Sequence, residues 1–213
     1  MSGGSPYRVL IVEDQELPTQ LIEMLLSASG SFTVSRSIKS ADMAYFYCSQ
    51  GSVDLVIMDI YTGLGSDGLA AAARIKGAFP KIKVVAMTSM PEVNYLKRAR
   101  AAGVDSFWYK ELSEIPLLDV LERTMEGENV YPDATPEVPV GRISSVEFTE
   151  RELDVLRELV RGVTNQEIAS KLYLSPTTVK DHISNMLAKT GLHSRTELAV
   201  RVCELGLVIP ERE

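Results

Sequence analysis

The segment Leu55-Val56-Ile57-Met58-Asp59 narrows the possible folds more than any other, because it is an unbroken apolar run that ends in a single carboxylate. A strand apolar at every position has both faces covered, the condition of a central strand in a parallel α/β sheet. Its last residue then stands at the carboxyl edge, where such folds gather ligands and chemistry. Taken alone, Asp59 could equally be a solvated residue closing a strand. Two further runs decide the matter: Val9-Leu10-Ile11-Val12 ends in Glu13-Asp14, and Val84-Val85-Ala86-Met87 ends in Thr88-Ser89. A shorter run, Ser106-Phe107-Trp108-Tyr109, leads into Lys110, and Phe32-Thr33-Val34 reads as a short, weaker strand.

Helical patterns separate these strands. Leu17, Leu21, Ile22, Leu25 and Leu26 recur at helical spacing up to Gly30, and residues 41–50 form a second helical stretch. After Asp59 come a Gly-rich loop (Gly63, Gly65, Gly68) and an Ala-rich helix near residues 69–77. A helix over 92–102 is closed by Gly103, and Ile115, Leu118, Val120 and Leu121 mark a last one reaching about Met125. Five strand–helix pairs in alternation predict a doubly wound, five-stranded parallel sheet of flavodoxin-like form over residues 6–127.

The chain has 213 residues, more than one core of this kind needs, so a second domain is expected. Residues 128–145 carry Pro132, Pro136, Pro139 and Gly141 among polar side chains, the composition of a linker that lets two modules change their relative position. From residue 146 to 213 the pattern is helical throughout and predicts a small all-α domain of four helices. Thr149 and Glu152 form a capping box ahead of Leu153, Leu156, Leu159 and Val160. Residues 165–172 make a short second helix, and Ser175 caps a third with Pro176 at its first position. On that third helix Val179, Ile183, Met186 and Leu187 face a core, leaving Thr177, Lys180, Asp181, Ser184 and Asn185 outward. Residues 195–205 form the fourth.

No apolar run is long enough to span a bilayer and the N-terminus lacks a signal core, so a cytoplasmic protein without membrane association is expected. Cys48 and Cys203 are far apart, and with His182 and His193 the only histidines, neither a disulfide framework nor a zinc site is indicated. The net charge of −7 excludes a protein that coats nucleic acid through its overall charge, but not one with a local DNA-reading surface.

The polar groups at the strand ends make a chemical set. Glu13, Asp14 and Asp59 would repel one another unless a hard cation sat among them, and carboxylates with carbonyl oxygens and water suit Mg²⁺. Beside such a cation Asp59 can attack a phosphoryl donor, while Lys110 and the Thr88 hydroxyl hold the incoming phosphoryl oxygens. Individually, Thr88 could cap the following helix and Lys110 could be a solvated strand-end lysine.

With these residues in these places, the sequence resembles the receiver domain of two-component response regulators over residues 7–127. The resemblance implies that Asp59 is the phosphoacceptor, that Glu13, Asp14, Asp59 and the Tyr61 backbone carbonyl hold the metal, and that Thr88 and Lys110 bind the phosphoryl group. It also implies that Phe107 is the aromatic whose rotamer reports phosphorylation, although a buried core role competes. In the second half, FTEREL (148–153), TNQEIASKLYLSPTTVKDHISNMLAKTG (164–191) and RTEL (195–198) resemble the LuxR-type helix-turn-helix domain, over residues 146–209. A receiver joined to it is the NarL/FixJ class of response regulator. Resemblance to that class implies a sensor histidine kinase as partner, double-stranded DNA read in the major groove at paired half-sites, and a homodimer promoted by phosphorylation. Lys180, Asp181 and Ser184 then face the groove, and Thr178, His182 and Lys189 are phosphate or framework contacts. Asp181 can accept from a cytosine amino group or simply favour the helix dipole. Leu198, Arg201 and Val202 are the candidate dimer surface. The second module has slightly more acids than bases, so binding should depend on dimerisation.

The loop Ile60–Gly68 lacks the Pro-Gly common after the phosphoacceptor and is one residue longer, which predicts a more mobile loop. Tyr61 and Met90 are bulky and flank the path of an attacking water, which predicts a long-lived acyl phosphate. An aspartyl-phosphate hydrolase would usually carry a second acid two residues after its nucleophile; here that residue is Tyr61. A regulator that binds DNA without phosphorylation, using its receiver only as a dimerisation platform, also fits the unusual loop.

Overall fold

The computed structural model describes residues 5–62, 66–92, 94–110 and 113–207. Gly63 and Gly65 of the Gly-rich loop, and residues 208–213 of the expected second module, lie outside them. Among the described residues no helix is long and apolar enough to cross a membrane. The chain divides into two compact units, Met1–Ser89 with Asn94–Ala134, and Met90–Val93 with Thr135–Glu213.

The first unit runs β1 (Tyr7–Val12), α1 (Glu16–Ser29), β2 (Phe32–Ile38), α2 (Ala44–Ser49), β3 (Leu55–Asp59), a two-residue pair β4 (Tyr61–Thr62) and β5 (Ser66–Asp67), α3 (Gly68–Ala78), β6 (Lys83–Thr88), α4 (Tyr95–Ala101), β7 (Ser106–Tyr109) and α5 (Leu117–Met125). Its five-stranded sheet has the order β2-β1-β3-β6-β7, with every neighbouring pair parallel. This is the doubly wound flavodoxin-like sheet. The all-apolar runs are its three inner strands: Val9–Val12, all of β3 and Val84–Thr88 are buried. Val9, Ile11, Leu55, Ile57, Val85 and Met87 share one core with Ile22 and Leu26 of α1 and Leu117, Val120 and Leu121 of α5.

The edge strand β2 reads differently from sequence, whereas β7 spans the run Ser106–Tyr109 as expected. β2 extends to Ile38, beyond the three residues expected, because an edge strand buries little and its Ser35 and Arg36 are exposed. The stretch 41–50 is a 3₁₀ turn, Ala41–Met43, followed by α2, and α4 starts at Tyr95 rather than near Glu92.

The second unit holds a short hairpin, β8 (Pro139–Val140) and β9 (Ile143–Ser144), then α6 (Glu150–Leu159), α7 (Asn165–Leu172), α8 (Pro176–Thr190) and α9 (Arg195–Glu204). Leu153, Leu156, Leu159, Ile168, Val179, Ile183, Met186, Leu198 and Val202 make its core, and Val140 of the hairpin is fully buried among them. The stretch 128–145 is therefore partly built into the two units. Val130 is buried in the first, and the Arg142 N–H donates to the Thr190 carbonyl in the second at 2.9 Å.

Glu152 ties this unit together. Its Oε2 accepts from the Thr149 N–H at 2.8 Å and the Thr149 hydroxyl at 3.1 Å, and Lys189 near the end of α8 donates to both its oxygens at 2.9 Å. Burial alone would raise its pKa, but the Thr149 bonds and the Lys189 ammonium outweigh burial and hold it below the ordinary carboxylate range. A depressed folded-state pKa stabilises the fold above the unfolded pKa, and that contribution is lost as pH falls through the folded value. Glu152→Gln should therefore lower the stability of this unit at pH 7 by about 1–2 kcal/mol. In urea unfolding followed by circular dichroism, the gap from the wild type should close as pH falls below about 4.

Candidate functional site

Strand order reverses at β1, which has β2 on one side and β3 on the other, so the crevice beyond the carboxyl ends of β1 and β3 is where a doubly wound sheet holds its ligand. Val12 lies opposite Met58, which brings Glu13 level with Asp59. One ligand oxygen each from Glu13, Asp14 and Asp59 lie within 4.8 Å of one another. Glu13 and Asp59 are buried and Asp14 is half-buried. β6 follows β3 in the sheet and ends in the buried Thr88, and β7 comes next and is followed by Lys110. The Lys110 N–H bonds to the Thr88 carbonyl at 2.9 Å, and its Nζ donates to Asp59 Oδ2 at 2.9 Å and to Glu13 Oε2. Glu13, Asp14, Asp59, Thr88 and Lys110 thus meet at one edge of the sheet.

Their electrostatics leave a charge to be balanced. Burial pushes the Asp59 carboxyl up to about 6; Lys110 opposes this and Glu13 adds to it. For Lys110 burial favours the neutral amine, but the facing Asp59 and Glu13 outweigh it and the pKa is raised. The Lys110 ammonium pairs with two of the three clustered carboxylates, Glu13 and Asp59. The oxygens of all three form a hard donor set of the kind that suits a small divalent cation.

The loop after Asp59 is pinned over its described length. The Tyr61 N–H donates to Asp59 Oδ1 at 3.3 Å, and Tyr61 and Thr62 pair antiparallel with Asp67 and Ser66. The Thr62 and Ser66 hydroxyls are hydrogen-bonded to each other, and Ser66 Oγ accepts from the Ala41 N–H at 3.1 Å. The described residues on both sides of 63–65 are joined by the buried Thr62 and Ser66 hydroxyls. Phe107 is 1% exposed and packs edge-on to Tyr109, ring centroids 4.9 Å apart.

In the second unit α7, a turn at Tyr173-Leu174 and α8 form a helix-turn-helix. Thr177, Lys180, Asp181, Ser184 and Asn185 are exposed on α8, while Thr178 and His182 are half-buried. Lys189 is engaged by Glu152, which fits a framework role. Leu198 and Val202 require a correction: both are fully buried in the core, since residues four apart share one helix face and that face turns inward. Of the three candidate dimer residues only Arg201 is on the surface, with Val200 beside it.

Comparison with known proteins matches the same two regions. The family described as "Response regulator receiver domain" matches residues 9–122, and "Bacterial regulatory proteins, luxR family" matches residues 146–202. The response regulator protein VraR of Staphylococcus epidermidis is 33% identical over 209 residues, covering 94% of this chain and 98% of that one. The chain belongs to the response regulators with a LuxR-type DNA-binding domain. VraR of Staphylococcus aureus is 32% identical with the same coverage. Among solved structures, RcsB of Salmonella enterica serovar Typhimurium, bound to a promoter in the presence of a phosphomimetic, aligns with a TM-score of 0.61. It is 18% identical and covers 92% of this chain and 97% of that one. ChrA, from a heme-sensing two-component system, aligns with a TM-score of 0.52 at 22% identity, covering 96% of this chain and all of that one. At these identities the two structures speak to the fold. The protein is a DNA-binding transcription regulator of a two-component system.

One residue of the loop after Asp59 in this response regulator escapes sequence reasoning. A Cβ on Gly68 would lie 2.1 Å from the Asp59 carbonyl oxygen, so only glycine lets α3 start against the end of β3. From sequence Gly68 reads only as part of a Gly-rich loop; in the structure it opens α3, which Asp67 caps by accepting from the Leu69 and Ala70 N–H groups. Gly68→Ala must displace the Asp59 backbone. It should weaken Mg²⁺ binding by roughly tenfold or more in isothermal titration and lower the receiver's stability by about 1–3 kcal/mol.

Proposed function

We propose that a sensor histidine kinase phosphorylates Asp59 and that the phosphorylated receiver dimerises and so controls DNA binding. The convergence of Glu13, Asp14, Asp59, Thr88 and Lys110 on the β1/β3 crevice carries this reading. In the transfer, an Asp59 carboxylate oxygen attacks the phosphorus; the P–N bond of the kinase's phosphohistidine breaks and the imidazole leaves. Glu13, Asp14, Asp59 and the Tyr61 carbonyl are the residues that would hold Mg²⁺. When bound, that ion neutralises charge on the transferring phosphoryl group. Lys110 pairs with a phosphoryl oxygen in place of the Asp59 carboxylate, and the Thr88 hydroxyl donates to another. Phe107 follows Thr88 and reports the state of the site. The receiver is not a dedicated enzyme: it accepts a phosphoryl group and loses it slowly to water.

The receiver spans residues 6–127 and the DNA-binding module 146–213, and the protein acts in the cytoplasm. Thr177, Lys180, Asp181, Ser184 and Asn185 are offered to the major groove, with Thr178 and His182 toward phosphates. A weakly acidic module binds usefully only when two copies engage paired half-sites, which is how dimerisation becomes the control. Arg201, with Val200, is the part of α9 available to a second copy.

Light scattering tests the switch. With Mg²⁺ and beryllofluoride the wild type should pass from monomer to dimer and its affinity for promoter DNA should rise, while Asp59→Ala should do neither. Equal DNA affinity in both proteins with and without the phosphoryl mimic would instead establish regulation independent of phosphorylation. Lys110→Ala should slow labelling by acetyl phosphate by roughly 100-fold. Tyr61 crowds the route of water to the acyl phosphate, so the wild-type phosphate should last for hours and Tyr61→Ala should shorten it; a wild-type lifetime of seconds to a few minutes overturns that part.

A further inference from the structure

The residues after α5 do not leave the first unit at once. The Val130 N–H donates to Ser106 Oγ at 3.0 Å, and the Val130 carbonyl accepts from the Phe107 N–H at 2.8 Å. Val130 thereby pairs with the outer edge of β7, on the side away from β6. Ser106 Oγ is 2.7 Å from Thr124 Oγ1, whose hydroxyl bonds in turn to the Val120 carbonyl of α5. Val130 joins the core on the α5 side. Tyr131 packs on the other side: its hydroxyl donates to the Val104 carbonyl at 2.8 Å, and the Arg100 guanidinium of α4 sits 4.1 Å from its ring centroid. The same ring lies 6.2 Å from that of Phe107, tilted by 30°.

Phe107 thus touches the connector twice, through its N–H to Val130 and through its ring to Tyr131. We propose that Val130 and Tyr131 form a latch that holds the start of the connector to β7 while Phe107 rests packed between Tyr109 and Tyr131, and that opens when Phe107 turns toward the phosphorylated site. The proposal rests on the phosphorylation of Asp59 and the movement of Phe107 put forward above. It has a geometric consequence. Val138 is anchored by its N–H to Ser145 Oγ at 3.1 Å and Glu137 accepts from the Ser144 hydroxyl at 2.8 Å, so with the latch closed the stretch between the two anchors is short, residues 132–137 spanning about 20 Å at full extension. Glu128 stays bonded to Arg123 through its N–H at 2.9 Å and its carboxylate at 2.7 Å. An open latch therefore adds residues 129–131 and brings the reach to roughly 30 Å without unfolding either unit. The Arg100 contact ties the ring to α4 as well.

Hydrogen–deuterium exchange of the full chain, with and without Mg²⁺ and beryllofluoride, tests the latch, with bound-fluorine NMR resonances reporting uptake of the mimic. In the wild type, exchange across residues 128–132 should accelerate about fivefold or more once the mimic is bound. In Tyr131→Ala that segment should exchange fast from the start and respond no further, while the fluorine resonances persist. Tyr131→Phe, which keeps the ring and loses the Val104 bond, should retain the response. Bound fluorine with unaltered wild-type exchange over 128–132 overturns the latch alone. Absence of bound fluorine overturns the phosphorylation reading and the latch with it.

Discussion

The first unit depends on keeping a carboxylate charged while it is buried. Asp59 is 4% exposed beside Glu13, at 2%, and two buried carboxylates side by side are unfavourable unless a cation shares the space. Lys110 supplies one, reaching both acids from beyond β7. That reach is possible only because β1, β3, β6 and β7 are consecutive in the sheet and all end at the same edge. The sheet order is therefore the precondition of the site. Parallel winding delivers every strand's last residue to one crevice, and a single reversal at β1 opens it.

The second unit solves a different problem, presenting polar side chains on a rigid helix. Val179, Ile183 and Met186 fasten one face of α8 to the core, and the Lys189–Glu152 pair ties its far end to the start of α6. The opposite face is then free to carry Thr177, Lys180, Asp181, Ser184 and Asn185 outward. Between the units the chain is more constrained than a linker composition suggests. Val130 extends the β7 edge and Val140 enters the helical core. These anchors shorten the free connector and place its first residues against Phe107.

Much of this is legible in residue order. The inner strands announce themselves because a strand covered on both faces carries no polar residue until its end, and those ends name Glu13, Asp14, Asp59 and Thr88; Lys110 follows the short apolar run of the edge strand β7. Helix boundaries with a chemical marker are equally readable: the Thr149–Glu152 box, and Ser175 with Pro176, stand where α6 and α8 begin. The β2 edge and the junction after α5 are not. β2 reads short because its exposed face breaks the apolar run, and Val130 gives no signal because one apolar residue among polar ones has no period. Resemblance alone places Leu198 and Val202 outward, although their four-residue spacing is that of a buried helix face.

The sequence by itself determined the alternation of elements, the division into two modules and the chemistry at each strand end, because periodicity and end residues are local properties of the chain. Only the tertiary structure decided which of those ends meet, that Gly68 must be glycine, that the Thr62 and Ser66 hydroxyls pin the loop after Asp59, and that Tyr131 lies on Phe107. These are contacts between residues distant in sequence or brought into register by folding. Their energies depend on distance and burial, which no pattern along the chain encodes.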